Sequence, residues 1–273
     1  MLGRLICLDI ETVPDPDLVP SNPPPEKIPK PFAHRIVAIS FVEAAIERQG
    51  GLERYRVETC RSGGNRDADE RQLLAGFWRH FARTSPRLVT WNGRGFDLAV
   101  LKLRAMVHGI AAPHFHRAGD KWNNYTQRFA AEWHCDLMEV LSDYGASTRT
   151  GLDEMARAMG LPGKLGGSGA EVASMVAEGR IDDVRAYCEG DVLNLFALYV
   201  RWAFLSGRTD AAGHNASLES LVSYLAAERA ERPHLGQFLD LWQASARPCP
   251  MDVAPGPPPL GEALHLDSED VLA

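Results

Sequence analysis

Residues 5–12 have the sequence LICLDIET, an apolar run that carries two carboxylates two positions apart. A β-strand points side chains i and i+2 to one face, so a strand over residues 4–10 would direct Asp9 and Glu11 toward one point. Two carboxylates this close repel each other unless a positive group lies between them. A divalent metal ion is the simplest such group, and the stretch therefore predicts a metal site at the end of the first strand.

The composition of the 273-residue chain is typical of a globular protein, with 45% hydrophobic and 24% charged residues. No apolar stretch approaches the ~18 residues of a membrane span, and the N-terminal run does not resemble a signal peptide. We therefore expect no membrane association and a cytoplasmic location. The formal net charge of −7 argues against a protein that coats DNA nonspecifically, since such proteins need a basic surface. The five cysteines contain no CxxC pair, which predicts reduced thiols.

Hydrophobic periodicity and turn residues predict an alternation of strands and helices. We expect strands at residues 4–10, 35–42, 53–60, 87–91 and 134–137, and helices at 67–82, 96–108, 152–159, 181–205 and 216–245, the last as one or two helices. Hairpin-like connections between the first three strands predict an antiparallel start to the sheet. A Pro-rich segment at 13–32 and a Gly-rich segment at 163–169 predict loops, and residues 113–133 fit no regular pattern.

A further candidate carboxylate lies in the sequence WNGRGFD at residues 91–97. A strand ends here, glycines turn the chain, and Asp97 falls at or near the start of a helix. Asp is also a favoured helix N-cap, and that alternative explains Asp97 without any chemistry.

The last candidate carboxylate lies in the sequence YCEGD at residues 187–191, inside the long helix. Tyr187 and Asp191 are four residues apart and share a helix face. An Asp among apolar neighbours is unusual unless it is paired or binds a metal. An Asp that faces solvent is the alternative.

Taken together, the order Asp-x-Glu, Asn-x-x-x-Phe-Asp and Tyr-x-x-x-Asp resembles the DEDD superfamily of 3′–5′ exonucleases, in its tyrosine-bearing branch. More narrowly, it is similar to the bacterial predicted 3′–5′ exonucleases related to the proofreading domain of family B DNA polymerases. Further matching stretches are HCDLMEVL at 134–141, LPGK at 161–164 and AYCEGDVLN at 186–194. The similarity covers roughly residues 3–205.

The resemblance implies an α/β, ribonuclease H-like fold, in which helices flank a mixed five-stranded sheet over residues 1–205. Beyond this domain, the sequence predicts a C-terminal helical extension at 206–247. It also predicts a Pro-rich and acidic tail at 248–273 that we expect to be disordered.

The resemblance also implies a site for two divalent ions, Mg²⁺ or Mn²⁺, which catalyse phosphodiester hydrolysis. On this pattern Asp9 bridges both ions, Glu11 and Asp191 complete one ion site, and Asp97 serves the other. Tyr187 holds the attacking water. A positioning role suits a tyrosine, since its high pKa makes it a poor base at neutral pH. The implied substrate is single-stranded nucleic acid with a free 3′ end, either DNA or RNA.

Several residues near these motifs have both a structural and a functional interpretation. Asn92, Phe96 and Lys164 are candidates for substrate binding, with a turn, the core and a flexible connection as the alternatives. Asp136 is expected to support the site rather than to bind metal. The aromatic residues Trp122, Tyr125 and Phe129 lie among polar and basic residues, which suits either base stacking or helix packing. His114 and His116 lack partners for a zinc site.

Two other functions remain open from the sequence. One is a hydrolase of nucleotides or short oligonucleotides, which the acidic composition favours. The other is a nucleic-acid-binding module without catalysis, which the intact set of five motif residues disfavours. Protein partners are not indicated by any motif.

Overall fold

The computed structural model describes residues 2–19, 29–165, 169–247 and 249–252. Within these ranges five strands form one sheet in the order β3-β2-β1-β4-β5. They are β1 (Arg4–Pro14), β2 (His34–Gln49), β3 (Leu52–Ser62), β4 (Arg87–Thr90) and β5 (His134–Asp136). The first three strands are antiparallel neighbours, and β4 and β5 run parallel to β1. This is the mixed five-stranded sheet of the ribonuclease H-like fold, and the expected fold class is confirmed.

Helices cover both faces of the sheet. They are α1 (Glu70–Thr84), α2 (Asp97–Val107), α3 (Pro113–Arg117), α4 (Leu137–Leu141), α5 (Leu152–Ala158), α6 (Gly169–Ala177), α7 (Ile181–Leu205), α8 (Ala211–Glu228) and α9 (Pro233–Ser245).

The alternation along β1 sorts its side chains between two hydrophobic cores. Ile6, Leu8 and Ile10 pack in the core that α1 and α2 cover. Leu5 and Cys7 point the other way, into the core formed with α7, α8 and α9. Because Asp9 and Glu11 continue this second series, the strand directs both carboxylates to the face that α7 covers.

The outer strand β3 is covered by α8. The hydroxyl of Ser217 accepts a hydrogen bond of 2.9 Å from the backbone N–H of Tyr55, and that of Ser220 accepts one of 2.9 Å from Val57. These contacts satisfy donors that an edge strand leaves unpaired. The α8 helix thereby packs directly on β3 and on α7, and α9 packs on α8 and α7.

Several element bounds differ from the sequence-based expectations. Strands β1 and β2 are longer than predicted because they pair with each other well beyond their apolar segments. The predicted helix at 216–245 begins earlier, where Asp210 caps α8, and is two helices, since Pro233 starts α9. We did not expect α6, which begins at the end of the Gly-rich segment, nor the short α3.

Parts of three loop or tail predictions lie outside the described residues: 20–28 of the Pro-rich segment, 166–168 of the Gly-rich segment, and 248 and 253–273 of the tail. Among the helices in the described ranges, none has the length and hydropathy that a membrane span needs. All five cysteines are free thiols, four of them buried, as expected.

Candidate active site

The first pair of carboxylates lies at the carboxyl end of β1. Asp9 and Glu11 share the strand face beneath α7, and the register with β2 becomes irregular directly after Glu11. Their carboxylate oxygens and the Sγ atom of Cys188 all lie within 4.8 Å of one another. The predicted convergence of Asp9 and Glu11 is therefore present in the structure.

The helix α7 brings the second group of side chains to the same place. Tyr187 and Asp191 are both buried, at 5% and 4% exposure, on the face that covers the sheet. Between them, the thiol of Cys188 donates a hydrogen bond of 3.4 Å to Asp9 Oδ2. The alternative in which Asp191 faces solvent is wrong.

The turn after β4 delivers Asp97. Its carboxylate accepts a hydrogen bond of 3.2 Å from the backbone N–H of Ile10, which lies between Asp9 and Glu11 on β1. The N-cap of α2 is Phe96, and Asp97 is the first helical residue. The alternative that explained Asp97 as a helix cap is therefore wrong, and its carboxylate instead joins α2 to β1.

Asp136 holds this turn in shape. Its carboxylate accepts hydrogen bonds of 2.9 Å and 2.8 Å from the backbone N–H groups of Asn92 and Arg94. Asn92 adopts a left-handed backbone conformation, with φ of 63°, which Asn tolerates better than most residues. Asp136 thus supports the loop that positions Asp97, in the role expected from the sequence.

Burial raises the pKa of all four carboxylates, and the charges of neighbouring carboxylates add to the effect. Burial, followed by the charge of Asp191, raises the pKa of Glu11 to about 8. Burial raises the pKa of Asp97 to about 7 and that of Asp191 to about 6. The pKa of Asp9 is also raised, by burial and then by the charges of Asp97, Asp191 and Glu11. The site therefore holds more negative charge than its surroundings compensate.

Lys164 is the cation that lies against this cluster. Its Nζ atom donates a hydrogen bond of 2.7 Å to the phenol oxygen of Tyr187 and lies 3.6 Å from Asp191 Oδ2. The Asp191 carboxylate and this hydrogen bond raise the pKa of Lys164 despite its burial. Among the residues that the structure describes, this one ammonium group faces four carboxylates.

The donor set suits a hard divalent cation. Mg²⁺ and Mn²⁺ prefer carboxylate oxygens, and Asp9 and Glu11 supply them at one point. Asp97 and Asp191 do not belong to that close group, but they lie near enough for their charges to act on Asp9. The raised pKa values show that a cation placed there would return these groups to their ionised form. The Cys188 thiol also has a raised pKa and remains a hydrogen-bond donor rather than a thiolate ligand.

The other predicted residues have different surroundings. Phe96 is partly buried, and its ring meets that of His34 edge-on at 5.1 Å. Tyr125 belongs to the core and donates a hydrogen bond of 2.8 Å to Pro86 O, whereas Trp122 and Phe129 are 71% and 70% exposed. The ring of His114 forms a hydrogen bond of 2.7 Å with the hydroxyl of Ser85. No potential metal-binding group in the described ranges contains it.

Two contacts of the site were not foreseen from the sequence. Cys188 lies three residues before Asp191, so helical spacing could have placed its thiol on the same face. The approach of Lys164 to Tyr187 joins residues 23 positions apart. No local spacing indicates that contact, because it depends on how the loop after α5 packs against α7.

Residues 27–242 match a protein family described as predicted 3′–5′ exonucleases related to the exonuclease domain of PolB. The match contains Asp97, Tyr187 and Asp191, whereas Asp9 and Glu11 precede it. Among solved structures, the family B DNA polymerase from the hyperthermophilic archaeon Pyrobaculum calidifontis is similar, with 17% sequence identity and a TM-score of 0.45. That similarity covers 84% of this chain and 29% of the polymerase. No curated protein matches the chain.

The raised pKa of Glu11 predicts a pH dependence of stability in metal-free protein. Between its ordinary pKa of 4.5 and about 8, the folded state holds more protons than the unfolded state. The free energy of unfolding therefore falls as the pH rises through this interval. Glu11→Gln removes the effect, so the variant should be more stable than wild type at pH 8.5, by on the order of 1 kcal/mol or more.

Urea denaturation in EDTA at pH 4 and pH 8.5 measures this difference. At pH 4 the carboxyl is protonated in both the folded and the unfolded state, and the two proteins should differ little. A stability difference that is the same at both pH values would contradict the raised pKa.

Proposed function

The chain belongs to the family of predicted 3′–5′ exonucleases related to the exonuclease domain of PolB, and on this basis we propose that it is a metal-dependent exonuclease. Its proposed substrate is single-stranded DNA or RNA, from which it removes nucleotides at the 3′ end. The observation that supports the proposal is the meeting of the Asp9 and Glu11 carboxylates at the end of β1, with the buried Asp97 and Asp191 near enough for their charges to raise the pKa of Asp9. The cytoplasmic location expected from the sequence remains a prediction.

Asp9, Glu11, Asp97 and Asp191 are the proposed ligands of two Mg²⁺ or Mn²⁺ ions. When bound, such ions activate water and stabilise the charge that develops on the phosphate and on the departing 3′ oxygen. Because Asp97 also accepts the N–H of Ile10, its remaining oxygen lone pairs are the ones available for binding. Burial excludes bulk water and strengthens each electrostatic contact in the site.

Tyr187 and Lys164 are proposed to orient the attacking water and the scissile phosphate. Burial, followed by the charge of Asp191, raises the pKa of Tyr187 to about 12, so the phenol stays protonated at neutral pH. Lys164 Nζ donates to the phenol oxygen, which leaves the phenol proton free to be donated. Tyr187 therefore acts as a hydrogen-bond donor rather than as a base, and the Lys164 ammonium adds a positive charge beside the phosphate.

Asn92 and Phe96 are proposed to contact the terminal nucleotide. Both lie in the turn between β4 and Asp97, and both are partly exposed. The backbone of Asn92 is fixed by Asp136, which leaves its side chain available to the substrate. Phe96 has one ring edge against His34, and the other part of the ring is available for contact with a base.

Activity on labelled strands tests the proposal directly. Purified protein should shorten 5′-labelled single-stranded DNA or RNA stepwise with Mg²⁺ or Mn²⁺, and should do nothing in EDTA. Asp9→Ala and Asp191→Ala should each lower the rate at least ~10³-fold, because ion binding supplies several kcal/mol of transition-state stabilisation. Full activity in EDTA, or cleavage of a circular strand, would contradict a metal-dependent exonuclease. Activity restricted to di- and trinucleotides would instead favour the hydrolase of short oligonucleotides.

The role of Tyr187 is tested by removing its hydroxyl alone. Tyr187→Phe keeps the ring in the core that contains Val184 and Cys188 and should slow cleavage roughly 10- to 1000-fold, which is the usual scale for a positioned proton donor or acceptor. Single-turnover rates with saturating enzyme measure the cleavage step apart from binding. Strand affinity should change little, and an unchanged rate would remove the phenol from the mechanism.

A further inference from the structure

A second, basic surface lies beside the candidate active site at the same edge of the sheet. It consists of Arg94, Arg128, Arg149, Phe129 and Tyr144, which we call the basic-aromatic surface. Arg94 belongs to the turn after β4, and the other four come from the segments before β5 and after α4. The proposed catalytic residues do not include any of the five.

The side chains of the basic-aromatic surface carry more positive than negative charge. All three arginines surround a single carboxylate, that of Glu139 on α4, at 3.8 Å from Arg94, 2.8 Å from Arg128 and 3.9 Å from Arg149. No second carboxylate forms an ion pair with them in the part of the chain that the structure describes. The charge of Asp136 also acts on Arg94 and Arg128. Three guanidinium groups against two carboxylates leave a surplus of one positive charge, in a chain whose net charge is −7.

One of these arginines also has an unused hydrogen-bond donor. Arg94 donates through one terminal nitrogen to Gln127 O at 2.8 Å, but its buried Nε atom has no hydrogen-bond partner among the described residues, since Glu139 Oε2 lies 3.8 Å away. A buried donor without a partner costs free energy. The solvent-accessible donors of the surface are those of Arg128 and Arg149, whose side chains are 45% and 52% exposed, and guanidinium groups of this kind suit a phosphate.

The aromatic part of the surface is open to solvent. The Phe129 ring is 70% exposed and meets the Tyr144 ring edge-on at 4.6 Å. The Arg128 guanidinium lies over the Tyr144 ring, 5.6 Å from its centre, and donates to the Tyr144 carbonyl at 3.2 Å. The two rings are therefore held in a fixed arrangement while the Phe129 ring stays free to stack.

The sheet register places this surface near the proposed catalytic carboxylates. Cys7 of β1 pairs with Val89 of β4, and Thr90 of β4 pairs with Asp136 of β5. Val89 pairs in turn with Cys135, and Asp9, Arg94 and Glu139 all follow this row, beyond the carboxyl ends of the paired parts of three adjacent parallel strands. Neighbouring strands of a sheet are about 4.8 Å apart, so the basic-aromatic surface and Asp9 lie at the same end of adjacent strands.

We propose that the basic-aromatic surface binds the part of a single-stranded nucleic acid that lies upstream of the 3′ nucleotide. Its guanidinium groups contact backbone phosphates, and the exposed Phe129 ring stacks on a base. Flexible single strands suit a surface of this kind, since stacking and phosphate contacts require no base pairing. This inference rests on the proposed function for the direction of the strand, but binding by the surface can be measured without cleavage.

The test measures the affinity of the full-length protein for fluorescein-labelled DNA and RNA strands of 12 and 3 nucleotides, by anisotropy in EDTA. Phe129→Ala and Arg149→Gln should each weaken binding of the 12-mer about 5- to 10-fold, with a much smaller loss for the 3-mer. Arg149→Gln should also lower the slope of log affinity against log salt by about 0.7, as expected for one lost phosphate contact on a single strand.

Two matched variants control for nonspecific effects. Leu205→Ala removes an apolar side chain that is 75% exposed at the far end of α7, and Arg54→Gln removes a guanidinium that is 58% exposed on β3. Both should bind the 12-mer as wild type does. Thermal unfolding of all four variants checks that each is folded.

The outcomes separate this inference from the proposed function. Wild-type affinity for the 12-mer in Phe129→Ala and Arg149→Gln overturns the binding surface, even if the enzyme cleaves strands. Strand binding that depends on these side chains, in a protein that never cleaves, supports the surface and overturns the exonuclease. A wild type that binds no single strand also overturns the surface and favours a protein as its occupant.

Discussion

The structure depends on a cluster of carboxylates that are buried close to one another. Asp9 and Glu11 from β1, Asp97 from α2 and Asp191 from α7 lie within reach of one another's charge, and Lys164 is the cation against them. Burying unpaired carboxylates costs free energy, which a protein lowers by binding protons or a cation. In the metal-free protein this cost raises the pKa values of the four carboxyl groups. The same arrangement that destabilises the metal-free protein makes the site a strong candidate for divalent ions.

The fold maintains this arrangement through contacts that run between its elements. Asp136 at the end of β5 fixes the turn after β4, and Asp97 binds the backbone of β1 at Ile10. Cys188 joins α7 to Asp9. On the far side of α7, Glu189 accepts a hydrogen bond from Ser62 of β3. It also pairs with Arg232, the N-cap of α9, and with His234 in the first turn of α9. The helix that carries Tyr187 and Asp191 is therefore held on both sides, by the sheet and by the C-terminal helices.

The features predicted from the sequence are those set by local spacing. The period of two along β1 placed Asp9 and Glu11 on one face of the strand. The helical period placed Tyr187 and Asp191 on one face of α7. Contacts between distant segments were missed, among them Lys164 with Tyr187 and the three arginines around Glu139. The stretch 113–133 fitted no pattern because its Asn and Asp side chains bond to their own backbone, as Asp120 does with Trp122 and Asn123.

The most direct test of this account is the proton release that accompanies ion binding. Titration of the metal-free protein with Mn²⁺ at pH 7, in buffers of different ionisation enthalpy, measures the ions bound and the protons released together. About two ions should bind per chain, with net proton release at pH 7 that becomes smaller toward pH 8.5, because Glu11, Asp97 and Asp191 ionise over that interval. Binding without proton release at pH 7, or no binding at all, would contradict this account.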